Sequence, residues 1–442
     1  MRHLVMPILI VLVSLIAGCG GDNGSSSSAF TVAVTGDAPY GKPFDDTREF
    51  DKNPAYIAAI NGDKDVSFAM HAGDIHSGSQ YCTQAYDLSI SNQWSAFDVP
   101  LIYTPGDNEW TDCHKKKEGG GEYDATTGSI VYVTDPTSGD YVDYAGGDPV
   151  ANLSLVRNIF FSTPGTTSGK AMSVHSQAQE YEPNYPSDSA FVENVWFEKS
   201  GVLFVTVNIP GGSNNGTDIW YKTPDMSPIQ AQEIDNRTHA ALRWLDTAFQ
   251  HANDDGDQAV VIMVQADMWD LDGNLMADNH LSQYKQYIDK LVTLTQSFGK
   301  PVLLINGDSH FYRSDNPLVR NAECKIEKPS SPIGTMSTAT ETCLDSVTSG
   351  ALNADGIIPD GPTYADPYLI AQDPMTGTYI PTFDVPNFHR LVVHGNATVA
   401  DTDMEYIKLT YDPSVTGTDV TETDGVGSFG PFSWKRVQPT LP

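Results

Sequence analysis

Five short apolar runs, each leading into a turn that carries an acid, constrain what this chain can fold into. Phe30–Thr35 precedes Gly36-Asp37, Val66–His71 precedes Gly73-Asp74, and Leu101–Thr104 precedes Gly106-Asp107. Ala259–Val264 leads into Gln265-Ala266-Asp267, and Val302–Asn306 into Gly307-Asp308. Near-continuous hydrophobicity over so few residues suits strands buried on both faces. Between them, Ala241, Trp244, Leu245 and Phe249 recur at helical spacing, as do Leu281, Tyr284, Ile288, Leu291, Leu294 and Phe298. Strand, helix, strand order needs crossover connections, so the pattern predicts an α/β chain. Val192–Phe197 and Val202–Val207, joined by Glu198-Lys199-Ser200-Gly201, read as a hairpin. Arg390–His394 and Tyr406–Thr410 read as a second strand pair.

Composition narrows the function classes. The 57 Asp and Glu outweigh 25 Lys and Arg, a net charge of −32, which argues against nucleic-acid binding through a basic face. Disorder is equally disfavoured, because 40% of residues are hydrophobic and only 19% charged. The first residues are leader rather than fold. Arg2 and His3 precede an apolar stretch, Leu4 to Ile16, that is too short to span a bilayer. It ends in Ile16-Ala17-Gly18-Cys19, which resembles a bacterial lipobox and implies lipidation at Cys19. Residues 1–18 are then a lipoprotein signal peptide and 19–29 a Gly/Ser tether. The location implied is the cell envelope, at the outer membrane rather than the inner, with the membrane reached by the lipid anchor only. Four further cysteines fit two local disulfides, Cys82–Cys113 and Cys324–Cys343. Residues 30–412 read as one domain with insertions at about 114–150 and 320–385, and 413–442 as an extension packing on it.

The chemistry lies in the shared ending of the runs. Ligand sites in α/β sheets gather beyond the carboxyl ends of strands, where Asp37, Asp74, Asp107 and Asp308 fall. Like charges at ~4 Å in a partly buried site cost several kcal/mol, so four converging carboxylates call for a divalent cation. Glycine before each aspartate is expected to let the backbone turn sharply there.

These blocks resemble the calcineurin-like metallophosphoesterases. That family's D-x-H, G-D-x-x-D/H, G-N-H-E/D, lone His and G-H-x-H appear here, in order, as Asp37-Ala38-Pro39, Gly73-Asp74-Ile75-His76, Gly106-Asp107-Asn108-Glu109, Gln265 and Gly307-Asp308-Ser309-His310. Pro105–Trp110, Gln265–Asp267 and Gly307–His310 also match the PGDNEW, QAD and GDSH strings of an exported bacterial subgroup. The resemblance covers about residues 30 to 312. It implies a four-layer αββα sandwich of two mixed sheets flanked by helices, and a site for two divalent metal ions. Asp37 and His310 would hold the first ion, Asp74 would bridge, and Asp107, Gln265 and Asp308 would serve the second. Pro39, Asn108, Gln265 and Asp308 stand where the family has histidines. The oxygen-rich donor set that results suits Mn²⁺, Mg²⁺ or Ca²⁺ better than Zn²⁺ or Fe. Asn108 takes the place of the leaving-group acid, with His76 as the nearest residue able to supply a proton.

Weaker signals stand beside these. Asn215, in the loop after a strand, and Arg313, with Asp315 beside it, are candidates for contact with a substrate phosphate. Gly425-Val426-Gly427-Ser428-Phe429-Gly430 satisfies G-x-G-x-x-G, but no helix follows it. Asp270-Leu271-Asp272-Gly273-Asn274 lacks the later ligands of a calcium loop, and no G-x-S-x-G is present. The sequence therefore predicts a monomeric metal-dependent hydrolase acting on a small-molecule or lipid-linked phosphoester. Two alternatives are a non-catalytic metal- or phosphate-binding relative and a surface-tethered binding lipoprotein.

Overall fold

The computed structural model describes residues 28–41, 45–269, 280–319, 322–327, 338–342, 383–395 and 404–442. The lipobox with Cys19, Cys343, the 270–274 stretch and most of the 320–385 insertion lie outside the described residues.

All five apolar runs are strands, and they divide between two mixed sheets. In the first, Phe30–Thr35, Val66–His71 and Pro100–Tyr103 lie parallel and adjacent. Tyr406–Tyr411 extends it antiparallel to Phe30–Thr35, followed by Phe432–Val437, Val426–Phe429 and Val420–Thr423. Residues 413–442 thus contribute three strands to this sheet. In the second, Val202–Thr206, Ala259–Met263, Val302–Asn306 and Phe388–Val392 run parallel. Val195–Lys199 adds antiparallel to Val202–Thr206, as the hairpin reading predicts.

Alternation along each strand explains why both faces had to be apolar. Val32 and Val34 point into the space between the sheets, where they meet Phe68, Phe204, Met263 and Ile305. Ala33, between them, packs on the opposite side against Ile57 and Ile60 of the helix Arg48–Gly62. In the second sheet Val261 and Met263 face the other sheet, whereas Val260 and Ile262 face the helices Pro228–Asp254 and Lys285–Phe298. The result is four layers: helices, sheet, sheet, helices.

One expected pairing differs. Phe388–Val392 lies beside Val302–Asn306 in the second sheet, whereas Tyr406–Tyr411 belongs to the first. Each strand carries buried apolar residues, Phe388, Leu391 and Val392 in one and Ile407 and Leu409 in the other, and such a pattern specifies burial but not a partner. No helix among the described residues is long and apolar enough to cross a membrane.

Phe204 is the tightest aromatic knot between the sheets. Its ring stacks on Phe197 at 5.0 Å and meets Phe68 edge-on at 5.1 Å. Phe204→Ala should destabilise the fold by ~3–5 kcal/mol, read as a lower urea unfolding midpoint. A loss under ~1 kcal/mol would contradict this packing.

Candidate metal centre

Because the parallel strands of both sheets end on the same side, their C-terminal turns meet. Asp37 Oδ1 accepts the backbone N–H of Asp308 at 3.0 Å, joining a turn of the first sheet to one of the second. Asp37, Asp74 and His310 each present a ligand atom within 4.8 Å of the others. Gln265 Nε2 donates to Asp107 Oδ1 at 2.9 Å and to Asp74 Oδ2 at 3.3 Å, so Asp74 lies between the two halves of the ring. Asp37, Asp74 and Asp107 are buried, and His310 is 29% exposed at the open side.

The backbone is bent to achieve this. Asp37, Asp74, Asp308 and His310 all adopt left-handed φ values, of 49°, 58°, 78° and 66°. Such conformations cost non-glycine residues roughly 1–3 kcal/mol each and persist where the surroundings enforce them. The expected role of the preceding glycines needs correcting, since of these four only Gly73 has positive φ. The others serve close approach instead. A Cβ at Gly106 would collide with Asp74 Oδ1, and one at Gly307 would lie 2.5 Å from Asp37 Oδ2.

Burial dominates the electrostatics. It pushes the Asp37 carboxyl up to about 7, with Asp107 adding repulsion, and the Asp107 carboxyl likewise to about 7, helped by Asp112. Asp74 is raised well above the carboxylate range by burial and then by Asp107, Glu109 and Asp37. These shifts describe a ring short of positive charge.

One central residue was not singled out from the sequence. Tyr40 is buried, and its hydroxyl lies 2.8 Å from Asp74 Oδ2, 3.3 Å from Asp37 Oδ1 and 3.1 Å from His310 Nε2. It sits three residues after Asp37, just past the position where Pro39 replaces the family's histidine. Glu109 is the second omission. It is buried and accepts from Tyr103 Oη at 2.7 Å and from the Ile75 N–H at 3.2 Å, bracing the turns of Asp74 and Asp107.

The remaining candidates fall as follows. Gln265 turns its NH₂ toward the carboxylates and its oxygen toward the Gly211 N–H, so it ties Asp74 to Asp107 as a donor. Asn108 lies in the site, donating from Nδ2 to Tyr40 Oη at 3.3 Å and to the His76 carbonyl at 3.0 Å. His76 is buried against Tyr86, and burial pulls its pKa down to about 4. Its Nδ1 donates to the Ser77 carbonyl at 3.3 Å, leaving Nε2 as the unprotonated nitrogen of the neutral ring. Asn215 is buried in the loop after Gly211, where Gly212, Ser213, Asn214 and Asn215 are successively left-handed. Arg313 and Asp315 do not pair with each other. Arg313 Nη1 lies 3.5 Å from Asp267 Oδ2, whereas Asp315 takes both Nε and Nη2 of Arg390, at 2.8 and 2.7 Å. The Cys82–Cys113 disulfide is formed, and it ties the loop after Asp107 to the segment after His76. Cys324 lies in the strand Glu323–Glu327.

The ring fits divalent cations on two observations. Asp37 Oδ2 is buried without a hydrogen-bond partner. At Gly211 a Cβ would lie 2.5 Å from Asp308 Oδ1 and 2.7 Å from Asp107 Oδ2, so two carboxylates converge on space kept open by a glycine.

No protein-family model and no curated protein matches the chain. Among solved structures it is similar to a purple acid phosphatase isolated from yellow lupin (Lupinus luteus) seeds, at 11% identity and a TM-score of 0.35. The match covers 93% of this chain and 54% of that one, so the chain spans about half the length of the lupin protein. A likeness at that level assigns no activity.

Two outcomes follow from the ring. Without metal, Asp37 and Asp107 titrate near 7 folded, against 3.8 ordinarily, so the folded state binds more protons in between. Stability of the metal-free chain should therefore fall as pH rises from about 5 to about 8, and Mn²⁺ at the upper pH should restore it. A melting temperature that climbs over that range without metal would contradict the burial of these acids. Tyr40→Phe should weaken Mn²⁺ binding about tenfold by calorimetric titration, since a hydrogen bond to a ligating carboxylate is lost; unchanged affinity would remove Tyr40 from the site.

Proposed function

We propose that the chain is a metal-dependent hydrolase of phosphoesters. The observation that carries this reading is the ring of Asp37, Asp74, Asp107 and Asp308, the first three buried, with His310 at its open side. Its members come from the ordered blocks that resemble the metallophosphoesterases. Asp37 and His310, with Tyr40 beside them, would hold one cation. Asp107 and Asp308 would hold the other, and Asp74 would serve both. Divalent cations in such a ring supply Lewis-acid chemistry, neutralising charge on a phosphoryl group and lowering the pKa of water.

The protein's own groups divide the remaining work. Tyr40 and Gln265 fix Asp74 by hydrogen bonds from two directions. Asp308 is fixed by the Asp267 N–H, which donates to its Oδ2 at 3.1 Å. Asp267 is held in turn by Arg390 and Arg313, which keep its carboxyl below the usual range against the effect of burial. In the reaction a bond forms from the water oxygen to phosphorus and the ester P–O bond breaks; the attacking water gives up one proton to solvent, and the leaving oxygen takes one from solvent. Neither Asn108 nor the buried neutral ring of His76 is set up to give that proton. Esters of acidic alcohols should therefore be cleaved fastest.

The test is hydrolysis of a chromogenic phosphomonoester and phosphodiester with added Mn²⁺, Mg²⁺ or Ca²⁺. The wild-type chain should turn over at least one, and Asp74→Asn should lower the rate by about a thousandfold or more. Undiminished turnover by that variant, or none by the wild type, would sink the proposal.

A further inference from the structure

Although acids outnumber Lys and Arg by 57 to 25, four of those cations line a single cavity. It has a volume of about 570 Å³ and is walled by Lys115, Lys116, Lys117 and Lys222 together with Glu122 and Asp218. Small-molecule sites occupy roughly 300–1,000 Å³, so the size is suitable.

The cavity adjoins the metal centre through Lys117. A Cβ at Gly78 would lie 3.1 Å from Lys117 Nζ and 3.0 Å from Asn108 Oδ1, so the two side-chain tips face one gap that only a glycine leaves open. Glu118 Oε1 borders the same point at 3.4 Å. Asn108 is already tied to the ring, since its side chain reaches Tyr40 and its N–H donates to Asp74 Oδ1 at 3.3 Å. Asn108 thus stands between the ring and the Lys117 end of the cavity.

The charges there are unevenly matched. Lys115 is taken up between Asp112 and Asp218, at 2.5 and 2.7 Å. Lys222 and Lys116 share the single carboxylate of Glu122, at 2.8 and 3.9 Å. Lys117 lies 3.4 Å from Glu118, a fully buried acid with neither oxygen hydrogen-bonded. Burial, followed by repulsion from Asp112, raises the Glu118 carboxyl well above its ordinary range, against the pull of Lys115 and Lys117. The side chains of Lys116, Lys117 and Lys222 are 64%, 59% and 75% exposed, so a ligand can reach all three. In the cavity wall itself four ammonium groups face two carboxylates, Glu122 and Asp218, and that balance in a concave site favours an anion.

We propose that this cavity receives the leaving-group side of the substrate, and that the preferred substrate is a phosphoester whose leaving group carries a second negative charge. The inference rests on the hydrolase reading above. Phenyl phosphate and 4-carboxyphenyl phosphate make a matched pair that differ only by a carboxylate on the leaving group. The wild-type chain should favour the carboxylated ester in kcat/KM by about tenfold, the scale of one or two charge-assisted hydrogen bonds. Lys116→Met, Lys117→Met and Lys222→Met combined should bring that ratio to about one. All three lysines are exposed, so the variant is expected to fold. A wild-type ratio near one, or a ratio the variant keeps, would overturn the proposal. Calorimetric binding of 4-hydroxybenzoate against phenol supplies an arm independent of turnover. Selective binding that the variant loses supports the subsite even if neither ester is cleaved, in which case the hydrolase reading alone fails. Equal binding of both compounds overturns the subsite.

Discussion

Burying several carboxylates around one point costs free energy, and much of the architecture serves that arrangement. Asp37, Asp74 and Asp107 are all removed from water, and burial holds each well above the ordinary carboxylate range. Each is delivered by a different strand of the first sheet, and Asp308 by a strand of the second. The ring therefore exists only if both sheets are formed and face each other in the right register. The aromatic and aliphatic layer between them, with Phe68, Phe204 and Met263 at its centre, fixes that relation.

A second buried network braces the far side of the ring. Arg390 spans Asp267 and Asp315 with all three side chains out of solvent, and the Asp267 backbone holds Asp308. Removing one member of such a group leaves an uncompensated buried charge, worth about 3–5 kcal/mol. Here the same loss would release the turn that aims Asp308. Stability and site geometry are therefore coupled through a residue that touches no substrate. The left-handed backbone at Asp37, Asp74, Asp308 and His310 is local strain sustained by this surrounding rigidity.

The parts legible in the sequence were those set by local pattern. Buried strands announce themselves as apolar runs, and the carboxyl ends of parallel strands are where side chains can converge, so Asp37, Asp74, Asp107 and Asp308 could be named from spacing alone. The local Cys82–Cys113 pairing was legible for the same reason. What stayed hidden depends on contacts distant in the chain. Tyr40 follows Asp37 closely, but its place is defined by Asp74 and His310, which are 34 and 270 residues away. Arg313 and Asp315 look like a pair because they are two residues apart on one strand and so share a face, yet Asp267, in the turn after Ala259–Met263, and Arg390, on Phe388–Val392, offer each a partner from elsewhere in the chain. The two C-terminal strands read as a hairpin because nothing in an apolar run states which sheet it joins. Lys115-Lys116-Lys117 lies in an insertion without periodicity, and only the folded chain brings Lys222 beside it.

The central claim is that a divalent cation, rather than another protein group, is what makes the aspartate ring tenable. The most direct measurement is elemental analysis of the purified full chain after exhaustive dialysis, with Mn²⁺ titrated calorimetrically into the chelator-treated protein. The account predicts close to two cations per chain, with proton release on binding at pH below about 7, where Asp37 and Asp107 are still partly protonated. A chain that retains no metal, takes up none on titration and releases no protons would contradict it.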